Sequence, residues 1–452
     1  MADNIKIKII GAGIAGCEAA WQAAKLGVNV ELYEMKPKKF SPAHHNSKFA
    51  ELVCSNSLRS NQLNNAVGLL KAELSKMGSL IMEAAYATEV PAGSALAVNR
   101  ELFSDYITGK IKSNPKITVY EEEVTEINGE EITVVASGPL TSEKLSLTIS
   151  KLTGGGELHF FDAAAPIVDF STVNLDKAFF ASRYGKGDAT DYLNCPMTKE
   201  EYDEFYKALV SAETAPLKAF DKELQEDLTV FEGCMPVEVM ASRGYDTLRY
   251  GPMKPVGLPL PSTGEDAYAT VQLRRENKEG TMYNIVGFQT HLTFGEQKRV
   301  FSMIPGLENA EFFRYGVMHR NTYMNSPNIL TSVYSMRENP NIFFAGQMTG
   351  VEGYVESASS GFVAGLNAAM LALGKEKVVF PTETQIGALA HYVSEGGVSS
   401  SFQPMNANFG IIAPLDTKVK GGKKNRNEAY SARSLAIIDK DYGYLTKNEN
   451  SD

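Results

Sequence analysis

The chain reads as an α/β protein: a Rossmann-like FAD-binding domain on a parallel sheet with a GxGxxG turn, carrying an inserted α+β substrate domain. Three observations predict this. The chain opens with a strand, a glycine-rich turn and an alanine-rich helix. A second strand–glycine–helix unit returns some three hundred residues later, from Asn341 onward. Between them the regular alternation of strand and helix gives way to charged helical stretches and a Pro/Gly-rich passage, Gly251 to Gly264. The expected boundaries are 1–165 with 325–452 for the discontinuous FAD-binding domain and 166–324 for the inserted substrate domain.

The first element is a short apolar strand containing Ile5, Ile7, Ile9 and Ile10, followed at once by Gly11-Ala12-Gly13-Ile14-Ala15-Gly16. Gly11 permits the tight turn, Gly13 lets the backbone approach a pyrophosphate, and Gly16 allows close helix–strand packing, with the helix N-terminus facing the phosphate charge. Gly27 ends the helix. Val28 to Tyr33 forms the next strand, and Glu34 stands where a carboxylate accepts hydrogen bonds from an adenosine ribose. Any glycine-rich strand–helix turn satisfies GxGxxG, so the strand, helix, second strand and terminal acid carry the inference.

Further on, Leu69 to Met77 and Arg100 to Ser113 read as helices and Lys116 to Ile127 as a strand. Thr133 to Pro139 resembles the strand and turn that link the halves of FAD-containing oxidoreductases. In the insert, Thr198 to Val210 reads as helix, and Tyr268 to Leu273 and Met282 to Phe288 as strands. Asn341 to Ala345 is a buried strand, followed by Gly346-Gln347-Met348-Thr349-Gly350 and a helix over Tyr354 to Leu373. This closing unit would set backbone N–H groups and a helix dipole on the flavin side of an extended FAD, which favours FAD over NAD. Gly346, Gln347, Gly350 and Tyr354 therefore join Gly11 to Gly16 and Glu34 as cofactor-binding candidates. The small residues of the closing helix would equally serve plain packing against a sheet.

With 452 residues, 43% hydrophobic and 22% charged, the composition is that of an ordinary globular protein of two domains. No run approaches the roughly 18 apolar residues of a membrane helix, and the first strand flows into the fingerprint without a leader. A cytoplasmic protein with no membrane partner is expected. The four cysteines, Cys17, Cys54, Cys195 and Cys234, have no CxxC spacing, so neither a disulfide framework nor a zinc site is expected. Cys17 reads as a core residue of the first helix and Cys195 as structural. A net charge of −10 argues against coating nucleic acid by bulk electrostatics. It leaves two local basic regions: Arg243, Arg249, Lys254, Arg274, Arg275, Lys298, Arg299, Arg314 and Arg320 among aromatics, and the run Lys418, Lys420, Lys423, Lys424, Arg426, which reads as an exposed loop.

Five segments carry a resemblance that spans nearly the whole chain. They are Gly11 to Gly16, Phe49-Ala50-Glu51-Leu52-Val53-Cys54-Ser55-Asn56-Ser57, Phe231-Glu232-Gly233-Cys234-Met235-Pro236-Val237-Glu238, Arg249-Tyr250-Gly251-Pro252-Met253-Lys254-Pro255-Val256-Gly257-Leu258, and Phe344 to Tyr354. In these the sequence resembles the folate- and FAD-dependent tRNA (uracil-5-)-methyltransferase family, TrmFO, also known as Gid. The resemblance implies C5-methylation of the T-loop uridine in the T-arm of tRNA, with the carbon from 5,10-methylenetetrahydrofolate. It implies reduced FAD as electron source, re-reduced by NADH or NADPH.

It assigns Cys234 as the thiolate that adds to uracil C6, making C5 nucleophilic, and gives Cys54 an assisting part in methylene handling or protonation. A lone cysteine beside a proline turn is otherwise a buried core residue. Tyr354, His291 and Arg299 are candidates for recognising a flat pterin, and His44-His45 for shaping the flavin pocket. Three other readings stand beside this one. The same chemistry on a ribosomal RNA uridine is one. A flavin-folded RNA-binding protein without methyl transfer is another. The third is a flavin oxidoreductase acting on a small molecule. A related carboxymethylaminomethyl-installing flavoprotein is much longer, with a helical C-terminal domain that has no counterpart here.

Overall fold

The computed structural model describes residues 6–41, 44–53, 56–90, 92, 94–153, 159–181, 183, 192–215, 236–275, 279–397 and 402–446. The fingerprint strand Lys6–Ile10 is the centre of a five-stranded sheet in the order Ile342–Phe344, Thr133–Val135, Lys6–Ile10, Asn29–Glu34, Ile117–Glu121, with every pair parallel. Ile7, Ile9, Val30, Leu32, Val134 and Phe344 are buried, as the apolar strands of a sheet covered by helices must be. The last strand is shorter than the expected Lys116–Ile127. Its neighbour ends at Glu34, paired with Glu121, so from Glu122 onward the edge strand has no ladder to join.

The fingerprint helix Ile14–Lys25 packs on the closing helix Tyr354–Ala372. A Cβ added at Gly361 would lie 2.2 Å from the Ala15 carbonyl oxygen, and one at Gly365 would lie 2.4 Å from Ala19 Cα. The crossing is therefore backbone against backbone, which side chains at either glycine would wedge apart. Lys25 and Ala372 mark the far ends of these helices. Their N-termini follow the C-terminal ends of the parallel strands Lys6–Ile10 and Ile342–Phe344 and share that edge of the sheet.

Glu73, buried in the helix Ala66–Lys76, receives the N–H groups of Gln385 and Ile386 at 2.7 and 2.8 Å and the Ser434 hydroxyl. It thereby caps the helix Gln385–His391 and ties down the C-terminal helix Gly422–Ile437. The basic run Lys418–Arg426 is thus not wholly a loop, because Gly422 begins a helix. Asn427, Ser431 and Ser434 recur at helical spacing, and the first two bond the carbonyls of Asn64 at 3.0 Å and Leu63 at 2.5 Å. That anchoring stripe is polar, so an apolar period does not reveal the helix. Lys418, Lys420, Lys423 and Lys424 remain exposed.

The chain divides into two compact units, Met1–Phe160 with Asn321–Asp452 and Phe161–Arg320. The second is built on a six-stranded sheet ordered Phe179–Phe180, Tyr192–Met197, Ala269–Arg275, Met282–Ile285, Ile167–Asp169, Phe312–Arg314, antiparallel throughout. It has its own core, including Leu193, Cys195, Phe205, Val271, Phe288 and Phe301. The helix Lys199–Val210 starts at a capping box made by Thr198 and Glu201. The strand expected to reach Phe288 stops at Ile285, because Gly287 turns with φ +76° and packs on Pro252. No described helix is long and apolar enough to cross a membrane.

Candidate functional site

The three fingerprint glycines have different reasons to be glycine. Gly11 has φ +98°, and a Cβ there would meet the Ala136 carbonyl oxygen at 2.6 Å. A Cβ on Gly16 would sit 1.8 Å from the Gly11 oxygen. Gly13 has φ −73°, open to any residue, and nothing lies within 4 Å of its Cβ position. The space it leaves stands over the N-terminus of the fingerprint helix, which has no side-chain cap and no acid in its first turn. Those N–H groups are free for an anion, and the dipole favours one.

Glu34 is buried at the margin of this space, its Oε2 accepting the Ala12 N–H at 2.8 Å and its Oε1 the Lys36 N–H at 3.0 Å. Two backbone donors fix the carboxylate and leave lone pairs for further donors such as ribose hydroxyls. A cleft of the first unit is lined by Gly11, Ala12, Gly13, Ile14, Ala15, Glu34, Gly346, Gln347 and Tyr354, with Ala136 to Ser142 forming a further wall. Gly16 and Gly350 do not line it. Gly16 acts through its contact with Gly11, and Gly350, at φ +82°, faces the Phe402 ring, where a Cβ would meet the ring at 2.4 Å.

The opposite end of the cleft is formed by the closing helix. Gly346 turns with φ +83° and donates its N–H to Ser360 Oγ at 2.7 Å. Gly353, at φ +124°, begins the helix without a side-chain cap. Two uncapped helix N-termini therefore open onto one cleft, with a carboxylate between sheet edge and solvent. These residues fit FAD: Gly13 to Ala15 would hold the pyrophosphate, Glu34 the adenosine ribose, and Gly346, Gln347 and Tyr354 the flavin end.

An ion pair that sequence spacing does not announce braces that end. Glu356, fully buried in the first turn of the closing helix, pairs with Arg59 and accepts the Ala407 N–H at 2.8 Å. Arg59 itself is held at φ +65°, and the buried Lys71 ammonium donates to the carbonyls of Arg59 at 3.1 Å and Ser60 at 2.6 Å. Burial, with Arg59 nearby, pulls the Lys71 ammonium down to about 8. The partners lie 297 residues apart in the chain, so no local pattern links them.

Cys54 and Cys234 both lie outside the described residues. Val53, just before the first, lines the cleft, and Pro236, two residues after the second, caps the helix Val237–Ser242. The other two thiols are inert. Burial pushes Cys17 and Cys195 well above the ordinary range of a cysteine. His44 lines the cleft with its Nδ1 2.5 Å from Ser41 Oγ, and burial together with Lys36 holds its pKa below the ordinary value. It is a neutral wall of the cleft, and His45, whose N–H bonds Glu51 at 3.0 Å, does not line it.

The basic and pterin candidates of the second unit are partly committed elsewhere. Arg299 is paired with Glu296 at 2.6 Å one turn away on the helix Phe294–Phe301. Arg249 pairs with Asp246 at 2.6 Å, donates to the Tyr268 carbonyl at 2.9 Å and lies 3.8 Å above the Tyr268 ring. The His291 N–H is held by Glu238 at 2.8 Å.

The parallel sheet, the glycine turn, the acid closing the second strand and the paired helix N-termini define a Rossmann-like flavoprotein. Sequence comparison then narrows the class. The family model described as Glucose inhibited division protein A matches residues 6–376. Proteins called methylenetetrahydrofolate–tRNA-(uracil-5-)-methyltransferase TrmFO are similar along almost their entire length. That of Acetivibrio thermocellus is 62% identical over 432 residues, 96% of this chain and 97% of the relative. That of Bacillus subtilis is 58% identical over 432 residues, again 96% and 97%. Among solved structures, Aquifex aeolicus GidA aligns over 99% of this chain and 75% of its own, with a TM-score of 0.48 and 17% identity. The chain belongs to the TrmFO family.

Proposed function

We propose that the protein is a methylenetetrahydrofolate- and FADH2-dependent methyltransferase acting on C5 of the T-loop uridine of tRNA. The observation that carries the reading is the cleft itself, two uncapped helix N-termini and a fixed carboxylate, in a chain 62% identical to a TrmFO. The first unit holds FAD, and residues 166–324 take the RNA. Bound FAD, reduced at the expense of NADH or NADPH, supplies the hydride that the reaction requires. The reaction belongs in the cytoplasm, with tRNA and reduced folates.

The chain's own contribution is covalent catalysis. The Cys234 thiolate adds to uracil C6, which turns C5 into a nucleophile toward the one-carbon unit of the folate. C5 then loses its proton as the folate nitrogen departs, leaving an exocyclic methylene. Once the methylene has accepted hydride, the C6–sulfur bond breaks and the thiolate returns. Cys54 assists the proton movements. The target base must leave its stack to enter a cleft, which the T-arm's loop makes inexpensive.

The test is Cys234→Ala. It is expected to abolish methyl transfer, by at least about the 100-fold typical of lost covalent or acid–base participation, while the purified protein stays yellow with FAD. Transfer retained within a few-fold would remove Cys234 as the nucleophile.

A further inference from the structure

Tyr250 is the outlier of the molecule's surface. Its side chain is 84% exposed, whereas the next most exposed large apolar side chains among the described residues, Leu147 and Phe294, reach 58%. A tyrosine left in water contributes almost nothing to folding, since its apolar area stays hydrated in both states. Scattered exposed apolar residues need no explanation, but this ring is presented on a ledge built with unusual care.

The Tyr250 N–H bonds the Asp246 carbonyl at 3.1 Å, and the N–H groups of Gly251 and Met253 both bond the Leu248 carbonyl, at 3.1 and 2.8 Å. Leu248 and Met253 are fully buried on either side of the ring's attachment point. Met253 is in turn tied to the sheet, its carbonyl accepting the Thr270 N–H at 3.0 Å. Arg183 holds the next turn by donating to the carbonyls of Val256 and Lys254, the latter at 2.9 Å. Arg249, the residue before Tyr250, is held by Asp246 and the Tyr268 ring. A fixed backbone under an exposed ring lowers the ordering cost of binding, which is how aromatic anchors act in recognition.

The surroundings select the partner. Arg243, exposed, and Lys254, half-buried, flank the ledge in sequence, in a protein whose overall charge is −10. An exposed aromatic face with cations four and seven residues away in the chain suits an unpaired nucleotide, whose base stacks on a ring and whose phosphate is drawn to positive charge. We propose that Tyr250 is a stacking platform for an unpaired base of the RNA substrate, a role that rests on the RNA-methyltransferase reading above.

The experiment compares wild-type protein with Tyr250→Ala, Tyr250→Phe and Tyr250→Trp, using an unmodified tRNA transcript as probe. Loss of the ring in Tyr250→Ala is expected to weaken binding about 5- to 150-fold, the range of a single base–aromatic stack. Tyr250→Phe is expected to bind within about twofold of wild type, because stacking needs the π-face and not the hydroxyl. The salt dependence of binding stays the same in all three, since no phosphate contact is removed. Tyr250→Trp is expected to show emission quenched by tRNA. FAD content and melting temperature serve as folding controls.

Wild-type affinity in Tyr250→Ala, or equal losses in Tyr250→Ala and Tyr250→Phe, overturns the platform while leaving the proposed function intact. Quenching of Tyr250→Trp by methylenetetrahydrofolate but not by tRNA reassigns the ring to the pterin and overturns it too. A fall in sedimentation coefficient in Tyr250→Ala would place the ring in self-association instead. Wild-type protein that binds no tRNA at all defeats the proposed function and this inference together.

Discussion

Gly13 separates binding from folding at the scale of one residue. Its φ of −73° and empty Cβ surroundings mean that valine fits the polypeptide itself. Gly13→Val is expected to yield a protein that has lost its visible flavin absorbance and melts at the temperature of flavin-free wild type, since bound flavin itself adds stability. Gly16→Val, with 1.8 Å to the Gly11 oxygen, is expected to lose about 1–3 kcal/mol or more of stability through overpacking. A yellow Gly13→Val protein would move the pyrophosphate elsewhere. The turn that these glycines build and the contact of Glu34 with it are legible in sequence because strand, turn and helix lie within thirty residues of one another. The Arg59–Glu356 brace is not legible, since its partners meet only through the fold.

Among elements, the buried carboxylate of Glu73 joins three helices. Burial pushes it from 4.5 up to about 7 in spite of hydrogen bonds from Ser434 and the Gln385 and Ile386 N–H groups. The unfolded chain releases this proton near 4.5, whereas the folded chain keeps it until about 7. Between those values the folded state binds more protons, so its stability declines as pH rises through the window. Glu73→Gln is expected to flatten that decline, read as the difference in denaturant midpoint between about pH 5 and about pH 7. An unchanged slope would take the carboxylate out of the linkage. The strands and helices of the first unit follow their apolar patterns, but ends that depend on a neighbour do not. The edge strand stops where its partner stops, and the C-terminal helix is anchored by Asn427, Ser431 and Ser434, whose polarity conceals its period.

For the molecule as a whole, the proposed binding of tRNA by an acidic protein requires local basic surface. The exposed Lys418 and Lys420 lie just before the C-terminal helix Gly422–Ile437 and Lys424 in its first turn, where a lysine works against the helix dipole. Replacing all three with glutamate is expected to weaken tRNA binding and to lower the slope of log affinity against log salt by about 3, with FAD content unchanged. An unaltered slope would make the run a solvated surface only. Such a surface shows in the sequence as a charge run, but its use does not, because charge density alone cannot distinguish a solvated face from a phosphate contact.

The most direct measurement supplies the protein with unmodified tRNA and ribosomal RNA, FAD, NADPH and methylenetetrahydrofolate labelled in its methylene carbon, and locates the label by mass spectrometry. The account predicts label in the C5 methyl group of the T-loop uridine of tRNA. Label confined to ribosomal RNA would contradict the substrate, and flavin-bound protein that labels neither would contradict the reaction itself.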